Sequence, residues 1–492
     1  MIALVLILVT PFVGAVVLAV TRSSKAAGWL NLLASALGFA GSLWLAYIVL
    51  GRGEIGGGQF YVDSFNVYLI ALTAFVGLTT SVFSRPYMAH ELDIGKVTPL
   101  RLRLYYASFQ GFLLTMLLAL TTNNLGILWV SLEGATLATV LLVSLYRTPE
   151  SIEAAWKYFI LCGVGIAQAL FGTVLLYVAT DRVVPDSSQA LLWSVLNAHA
   201  SQLEPSVMTI AFVFLLVGYG TKVGLVPLHN WLPDAHSEGP TPMSAVLSGL
   251  LLNVALYAVI RVKMLTDAAL QAGGGSHAGL PGQLMMGFGL VSFLVAVLFL
   301  HRQRDIKRLY SYSSIEHMGL MSFAFGLGGP IATFGALLHM TVHSLTKSAI
   351  FVTVGHAAQI AGTQTMERIR GLVRTQPAVG WGLVIGTLAI AGFPPFGVFV
   401  SEFLLLTATM HSAPWLALPV LTGIAIAFAG LFRHLHPMVF GEAPEGQVAV
   451  RANMLPVFVH LLIVLALGLS IPLVLAKWFN QATILITGSG LL

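Results

Sequence analysis

Ionisable side chains inside apolar segments are the residues of this chain that could do chemistry. Lys222 lies in GTKVGLVPLHNW, Glu133 lies in LWVSLEGATLATVLLV, and Glu402 lies near the end of AGFPPFGVFVSEF. A charge at the centre of a membrane helix costs about 3 kcal/mol, so such residues usually face a protein interior or a water path. Carboxylates and amines in that setting predict proton transfer.

One segment carries a histidine or lysine at every fourth position, namely His339, His343 and Lys347. This spacing places all three on one face of a helix. Histidines beside a lysine are typical of a proton relay, although polar helix packing would give the same pattern. A metal site is disfavoured because a third ligand is not clearly placed and the lysine repels a cation.

Further candidates lie near segment ends. Lys157 opens an apolar segment, where it either faces the interior or extends its stem towards water. His229, Asp234 and His236, followed by Glu238, fall in HNWLPDAHSEGPTP and predict either a site of proton uptake or a solvated loop.

A lone buried carboxylate takes up a proton and becomes inert, so Glu133 needs a partner. Lys222 is the first candidate and Lys157 the second. The glycines and prolines near Lys222 and Glu402 interrupt their helices, which is tolerated only where backbone lines protein or a wet cavity. Water at the breaks would supply a proton path, whereas a dry kink would serve packing alone.

The elements that must position these residues are membrane helices. Of 492 residues, 57% are hydrophobic and 9% charged, which excludes an ordinary soluble globular protein. An all-α polytopic membrane protein with about fourteen transmembrane helices is expected. The fourteen segments are centred near residues 11, 39, 74, 113, 135, 167, 217, 254, 291, 318, 346, 392, 427 and 466.

The single cysteine, Cys162, excludes an internal disulfide and a thiolate-ligated iron–sulfur or nickel–iron centre within this chain. We therefore expect no cofactor, metal or quinone site here. Any redox chemistry must belong to a partner.

Basic residues predict the orientation. Sixteen lysines and arginines fall in loops after odd-numbered segments, against five on the opposite side, which are Arg52, Arg182, Arg261, Lys263 and Lys477. Positively charged loops stay in the cytoplasm, so both termini of this multi-pass protein are expected outside the cytoplasmic membrane. The net charge of +5 then reflects topology and not nucleic-acid binding. The first segment lacks a preceding basic region and is expected to be retained.

The two interrupted segments are the seventh and the twelfth. An offset of five reverses helix direction and predicts two inverted five-helix repeats. The expected division is helices 1–3 in residues 1–103, helices 4–8 in 104–265, helices 9–13 in 282–440 and helix 14 in 453–492. The Gly-rich stretches Gly51–Gln59 and Ala272–Gly279 are predicted to be flexible outer loops.

Long motifs carry a resemblance to a known family. KYFILCGVG, GTKVGLVPLHNWLPDAHSEGPTPMSAVLSGLLLNVALY, QRDIKRLYSYSSIEHMGL, LLHMTVHSLTKSAIF and GFPPFGVFVSEF resemble the antiporter-like membrane subunits of respiratory complex I, Mrp antiporters and membrane-bound hydrogenases. Within that family the hydrogenase-4 component F subfamily is the most similar. The resemblance runs from about Asp63 to Glu402.

The resemblance implies a proton-translocating subunit driven by redox chemistry elsewhere in a complex. It carries the family's functional positions onto Glu133, Lys222, His339, His343, Lys347 and Glu402. Many relatives have a lysine or histidine in the eighth helix, where this chain has Asn253, so transfer between its halves needs water or another residue. The chain stops at Leu492 without a long lateral helix, and we expect an inner position in the membrane arm.

The implied partners are other membrane-arm subunits and a peripheral redox arm with iron–sulfur or nickel–iron subunits. The complex would be of the membrane-bound hydrogenase, formate hydrogenlyase or NADH-quinone oxidoreductase type. Two alternatives stay open: a sodium/proton antiporter subunit of an Mrp-like complex, and a scaffold that has lost pumping. Costly buried charges weigh against the scaffold.

Overall fold

The computed structural model describes residues 2–274, 279–443 and 452–492, and it is almost entirely helical. The helices of the first part are α1 (Ile2–Val20), α2 (Ser24–Arg52), α3 (Ser64–Asp93), α4 (Pro99–Thr121), α5 (Leu125–Val143), α6 (Pro149–Asp181), α7 (Trp193–Ala198), α8 (Pro205–Val223), α9 (Trp231–Glu238), α10 (Thr241–Val246) and α11 (Leu252–Ala272). The remaining helices are α12 (Leu280–Leu300), α13 (Ile306–Leu327), α14 (Gly329–Ala361), α15 (Leu372–Thr375), α16 (Pro377–Ile390), α17 (Gly397–Ser412), α18 (Pro414–Phe440), α19 (Leu455–Leu469) and α20 (Leu473–Thr487). A π-helical turn, Leu247–Leu251, joins α10 to α11, and 3₁₀ turns cover Ser187–Gln189, Ala200–Gln202 and Met366–Arg368.

The polytopic all-α architecture is confirmed. Within the described residues, ten spans are long and apolar enough to cross a membrane, or eleven if α19 and α20, bent by 79°, count as one. The number fourteen stays a prediction, because α16 and α17 are short and α13 and α14 carry several ionisable residues. The division into inverted repeats also stays a prediction.

Both predicted helix interruptions are present. The α8 helix ends at Val223 and is followed by Gly224, whose φ of 87° belongs to the left-handed region that favours glycine. The α16 helix ends at Ile390 and is followed by Gly392, with a φ of 68°. In each case a proline follows three residues later, and the peptide bonds Val226–Pro227 and Pro394–Pro395 are cis. In both spans the helix is therefore interrupted and a second helix begins after the break.

The two ends of the bundle differ in chemistry. At one end of the bundle α3 and α14 end, while α6 and α13 begin. The segments at this end contact each other through the Asp305–Thr365 bridge and through the Gln359–Glu91 hydrogen bond of 2.9 Å. We call this end the basic face, because most of the loop arginines and lysines lie there. The opposite end is called the outer face after the orientation predicted from the sequence, which stays a prediction.

The outer face is more ordered than the sequence indicated. The stretch Gly51–Gln59 was expected to be a flexible loop, but it contributes to a hairpin of β1 (Ile55–Gly57) and β2 (Phe60–Val62). The carbonyl of Gln59 accepts from the Asn123 backbone amide at 2.8 Å, so backbone pairing holds the hairpin against the start of α5. In the other Gly-rich stretch, Ala272–Gly279, residues 275–278 lie outside the described residues.

A buried ion pair joins α3 to α11 near the outer face. Arg261 donates to the Asp63 carboxylate at 2.7 Å, and both side chains are at most 4% exposed. The guanidinium also lies over the Trp193 ring, 4.3 Å from its centre. Arg261 is therefore a buried residue of α11 and not a loop residue, because α11 extends past it and paired burial makes its charge tolerable.

Glycines allow two antiparallel helices to touch along their backbones. A Cβ on Gly289 of α12 would lie about 2.5 Å from the Phe323 backbone nitrogen of α13, and one on Gly319 would meet α12 in the same way. Small residues at such crossings permit close helix packing in membranes. The α12–α13 contact fixes the helix that carries part of the candidate site.

Gly289→Val should therefore separate α12 from α13, since overpacking of a tight interface costs about 1–3 kcal/mol. We expect less protein in the membrane and a lower unfolding temperature in detergent. Gly287→Val is the matched control, because it lies on the same helix with open space around its Cα. Equal losses in both variants would contradict the proposed role of the crossing.

Candidate functional site

Lys222 lies in the last turn of α8, immediately before the first break, and is fully buried. Its ammonium donates to the Thr136 hydroxyl, and that hydroxyl donates to the Glu133 carboxylate at 3.1 Å. The Tyr158 ring is 5.5 Å from the ammonium nitrogen. The predicted partnership of Glu133 and Lys222 is therefore mediated by Thr136, which sequence reasoning missed.

Glu133 lies less deep than expected. It is half-buried on α5, and its helix neighbours Val130 and Leu137 are exposed. The carboxylate thus sits at the rim of the bundle, with one side on the interior and the other on the surface.

Of the two placements expected for Lys157, the structure shows the one in which the stem extends towards water. Its side chain is 49% exposed near the start of α6, and its ammonium pairs with Glu153 at 2.6 Å and with Asp234 at 3.3 Å. The position lies close to the basic face, where a long stem brings the amine to the surface. Lys157 is therefore not a partner of Glu133 across the interior.

The residues predicted for proton uptake, Asp234, His229 and His236, lie in two environments: one lies at the surface and the others are buried. Asp234 pairs with Lys157 and also accepts from Arg308, which links α6, α9 and α13. His229 is 7% exposed. His236 is fully buried and stacks on Phe351 of α14 with ring centres 4.8 Å apart. Within the described residues neither ring nitrogen of His236 has a hydrogen-bond partner.

Next to this group, Asp305 caps α13 by accepting from the Arg308 backbone amide at 2.9 Å. Burial raises the pKa of the Asp305 carboxyl, and that amide opposes the shift. The basic face thus combines exposed ion pairs with carboxylates held near the interior.

The three four-spaced residues of α14 meet a histidine from α13. His339 Nε2 lies 3.0 Å from His317 Nδ1, and the rings of His317 and His343 have centres 5.5 Å apart. His339 Nδ1 lies 2.9 Å from the Ser401 hydroxyl of α17. The histidines therefore form one buried cluster between α13, α14 and α17.

Lys347 is fully buried one turn further along α14. Its ammonium donates to the backbone carbonyl of Tyr310 at 3.0 Å, and the Tyr310 ring centre lies 5.8 Å away. Glu316 of α13 is within electrostatic reach of this ammonium. The amine is thus solvated by a peptide dipole, with its nearest carboxylate on the neighbouring helix.

Glu402 follows Ser401 and is 6% exposed. Its carboxylate packs against Gly392 at the second break, where any Cβ would collide with it. The second break therefore has a definite structural use, since it admits a carboxylate into the bundle beside the histidine cluster.

Sequence reasoning gave no role to Glu316 and His317, although both are buried in the middle of α13. The signal was available: the adjacent pair lies in SYSSIEHMGL, and the rule that selected Glu133 selects it equally. Their position opposite Lys347 and His343 depends on how α13 packs on α14.

The eighth span, Thr241–Ala272, consists of α10, the π-helical turn and α11, and its most apolar 18-residue window is completely buried within the bundle. Asn253 donates to the Ser344 hydroxyl of α14 at 2.7 Å, and Ser248 in the π-helical turn shares a 2.7 Å hydrogen bond with Ser314 of α13. Hydroxyl and amide groups therefore link this span to the second half.

Within the described ranges no group of three or more His, Cys, Asp or Glu residues could hold a metal ion. The ionisable groups near the two breaks are ammonium, imidazole and carboxylate groups, which can exchange protons, and between them the central span contributes Asn253 and serine hydroxyls.

Comparison with known proteins identifies relatives of this chain. Residues 122–428 match the family described as NADH:quinone oxidoreductase/Mrp antiporter, transmembrane. The chain is 49% identical over 480 residues to a hydrogenase-4 component F homolog of Methylacidiphilum infernorum, covering 98% of this chain and 99% of that one. It is 28% identical over 423 residues to NADH-quinone oxidoreductase subunit N of Desulforudis audaxviator, covering 86% and 80%.

A solved structure shares the fold. A chain of the membrane-bound sulfane sulfur reductase, an archaeal respiratory membrane complex, superimposes with a TM-score of 0.86 at 23% identity, covering 98% of this chain and 97% of that one. The family match spans more than half of the sequence and includes the first break, the histidine cluster and the second break. This chain belongs to the NADH:quinone oxidoreductase/Mrp antiporter transmembrane family.

Proposed function

We propose that this chain is the proton-translocating membrane subunit of a redox-driven complex of the membrane-bound hydrogenase, formate hydrogenlyase or NADH-quinone oxidoreductase type. One observation supports the proposal: Lys347, three histidines and Glu402 are buried on the neighbouring helices α13, α14 and α17, and His339 contacts both His317 and Ser401. Burying ionisable groups in a membrane protein is costly and is typical of proton pathways. The 49% identity to a hydrogenase-4 component F homolog favours the hydrogenase type.

In the first half, Lys222 is the group that holds or releases a proton. Thr136 transmits the charge state of Glu133 to its ammonium by a two-step hydrogen bond. Because Glu133 reaches the rim of the bundle, a neighbouring membrane subunit can change that charge state. The charge state of Glu133 therefore controls whether Lys222 holds or releases its proton.

In the second half, Lys347 is the corresponding group. A proton leaving its ammonium passes to His343 or His317, then to His339, whose second nitrogen faces Ser401. Imidazole accepts a proton on one nitrogen and releases one from the other. Glu402, adjacent to Ser401, is the terminal acceptor of this relay.

The proposal includes partners and an orientation. Other membrane-arm subunits are required, together with a peripheral redox arm carrying iron–sulfur or nickel–iron centres, because the chain's one cysteine, Cys162, is buried and unsuited to such a centre. The basic face lies in the cytoplasm and both termini lie outside the cytoplasmic membrane. Electron donor and acceptor belong to the partners.

Replacing Lys222 or Lys347 should abolish the coupling between electron transfer and proton translocation. In vesicles containing the intact complex, Lys222→Ala and Lys347→Ala should each lower proton translocation on the order of 100-fold, as expected for loss of an acid–base group. Electron transfer should fall in parallel, because it is coupled. Lys477→Ala removes an exposed lysine and is the matched control. Unchanged pumping in both buried variants, with the complex assembled, would favour a scaffold.

Thr136 offers a finer test of the first half. Thr136→Val removes the hydroxyl between Lys222 and Glu133 at nearly constant volume, and hydrogen bonds to charged groups contribute about 1.5–3 kcal/mol. We expect pumping to fall about tenfold or more, measured as initial rate of vesicle acidification. Thr136→Ser keeps the hydroxyl and should retain most activity. Equal activity of the Val and Ser variants would show that the bridge is dispensable.

A sodium/proton antiporter is the second candidate, because the matched family includes Mrp antiporters. The ammonium groups of Lys222 and Lys347 repel a bound cation, which favours protons over sodium. We expect pumping by the complex to be unchanged when sodium is replaced by potassium. Strict dependence on sodium, or sodium efflux matched to proton uptake, would reverse this preference.

A further inference from the structure

A groove on the outside of the bundle runs between the end of α5 and the first turns of α6. Its volume is about 320 Å³, and the residues of α6 that line it are Ile152, Ala155, Trp156 and Phe159. These positions recur at three- and four-residue spacing, so they form one stripe of the helix about 10 Å long. We call this feature the α5–α6 groove.

The α5–α6 groove is narrow and its walls are apolar. Ala155, at its floor, is only 5% exposed. The larger side chains around it, Ile152, Trp156 and Phe159, are between 37% and 59% exposed, and Val140 of α5 forms the opposite wall. An α-helix with its side chains is about 10 Å across, so a helix would cover the mouth of this cleft without filling it. The shape fits a single extended hydrocarbon chain.

The groove begins at the polar boundary of the membrane. The α5 helix ends at Val143 and α6 begins at Pro149, so the connection between them lies at the basic face. Trp156 is exposed two turns into α6, and tryptophan is typical of the boundary between lipid headgroups and hydrocarbon. Further from the basic face, Leu137 and Ile160 are exposed apolar side chains. The groove therefore has one polar end and one end that opens onto the lipid-facing surface.

The polar end of the groove carries a cation, Arg147, in the loop between the two helices. Arg147 is exposed, and its guanidinium forms no ion pair within 4 Å in the part of the chain that the structure describes. Two acidic residues near the start of α6, Glu150 and Glu153, lie outside the groove lining, and Glu153 pairs with Lys157 at 2.6 Å. The positive charge at the groove is therefore left without a protein counterion there.

The backbone holds Arg147 in this place. Its φ of 59° lies in the left-handed region, which is uncommon for an arginine and would suit glycine. The Arg147 amide donates to the Ser144 carbonyl at 3.1 Å, and the next residue, Thr148, caps α6 by accepting from the Ser151 amide at 3.1 Å. The turn itself does not require an arginine, so the reason for this side chain lies outside the turn.

We propose that the α5–α6 groove binds one anionic phospholipid, whose phosphate is held by Arg147 and one of whose acyl chains lies in the cleft over Ala155. A guanidinium presents five donors in a planar fork that matches a phosphate group. Basic residues beside clefts between membrane helices favour anionic headgroups. A membrane helix of a neighbouring subunit is the other occupant of such a surface, but it would leave the cleft unfilled. The inference goes beyond the proposed function, because it requires no proton transfer.

The lipid would lie close to the rim of the first half. Val140, on the groove wall, is two turns or about 10 Å along α5 from Glu133. The α5 and α6 helices already share the 2.7 Å hydrogen bond between the hydroxyls of Thr139 and Tyr158. An acyl chain in the groove adds a contact between the same two helices on their lipid-facing side.

Lipid titration of the purified full-length chain in detergent tests the headgroup contact, with bound lipid counted by native mass spectrometry. The wild type should bind phosphatidylglycerol more tightly than phosphatidylcholine. Arg147→Gly suits the φ of 59° and removes the guanidinium, so the affinity for phosphatidylglycerol should fall about tenfold or more. Arg147→Lys should keep part of the affinity. Arg374→Ala removes an exposed arginine of α15 outside the groove and is the matched control. Equal affinity of the wild type and Arg147→Gly overturns the site.

The acyl chain is tested separately. Ala155→Leu fills the floor of the groove and should lower the affinity for phosphatidylglycerol by a similar factor, although Arg147 is still present. Soluble glycerol phosphate, which has the headgroup charge without the chains, should not displace the lipid. Full affinity in Ala155→Leu, or displacement by glycerol phosphate, would reduce the site to a phosphate contact and overturn the lipid assignment.

Photo-crosslinking identifies the occupant in the intact complex. The photo-reactive amino acid p-benzoylphenylalanine is placed at residue 159, on the groove wall, or at residue 160, which is exposed at the same depth but outside the lining. Adducts at residue 159 should be enriched in anionic phospholipid relative to those at residue 160, as measured by mass. An adduct to another polypeptide at residue 159, or the same lipid mixture at both residues, contradicts the proposal.

Discussion

An ammonium buried at membrane depth must be solvated by the protein, and this constraint governs the structure. Lys222 uses a threonine hydroxyl, Lys347 uses the Tyr310 carbonyl, and Lys307 uses two carbonyls at the end of α9. None of these three amines forms an ion pair within 4 Å in the described part of the chain. Neutral dipoles therefore solvate each of these ammonium groups in place of a tight counterion.

The breaks and the close helix crossings serve this constraint. Gly392 gives the Glu402 carboxylate a place beside the second break, and Gly224 ends α8 just after Lys222. The glycine contact between α12 and α13 holds α13 in place, and α13 supplies His317, Glu316 and the Tyr310 carbonyl to the residues of α14. The two helix breaks and the glycine contact between α12 and α13 therefore position the same set of buried ionisable side chains.

The first and second halves of the chain differ in how far their ionisable side chains are exposed at the surface of the bundle. In the first half the carboxylate of Glu133 reaches the rim, where a neighbouring subunit can act on it. In the second half the histidine cluster and Lys347 are enclosed by the bundle. Asn253 and the serines around the π-helical turn join the central span to the second half without a titratable group. Coupling between the halves in this chain is therefore expected to depend on charge and on water more than on direct proton transfer through the eighth span.

The sequence alone determined the all-helical membrane class, the two interruptions and most of the buried ionisable residues, because apolar runs, helix breakers and charges in apolar segments are local signals. It determined the common face of His339, His343 and Lys347, because helical spacing is also local. Only the tertiary structure decided that Thr136 stands between Lys222 and Glu133, that Lys157 reaches the surface, and that His317 completes the histidine cluster. Only the fold assembled the cavity of about 470 Å³ at the basic face, whose lining residues lie between Tyr87 and Gln364 in the sequence. These features depend on which helix faces which, and helix packing in a membrane is set by small-residue contacts and interhelical hydrogen bonds that no single segment records.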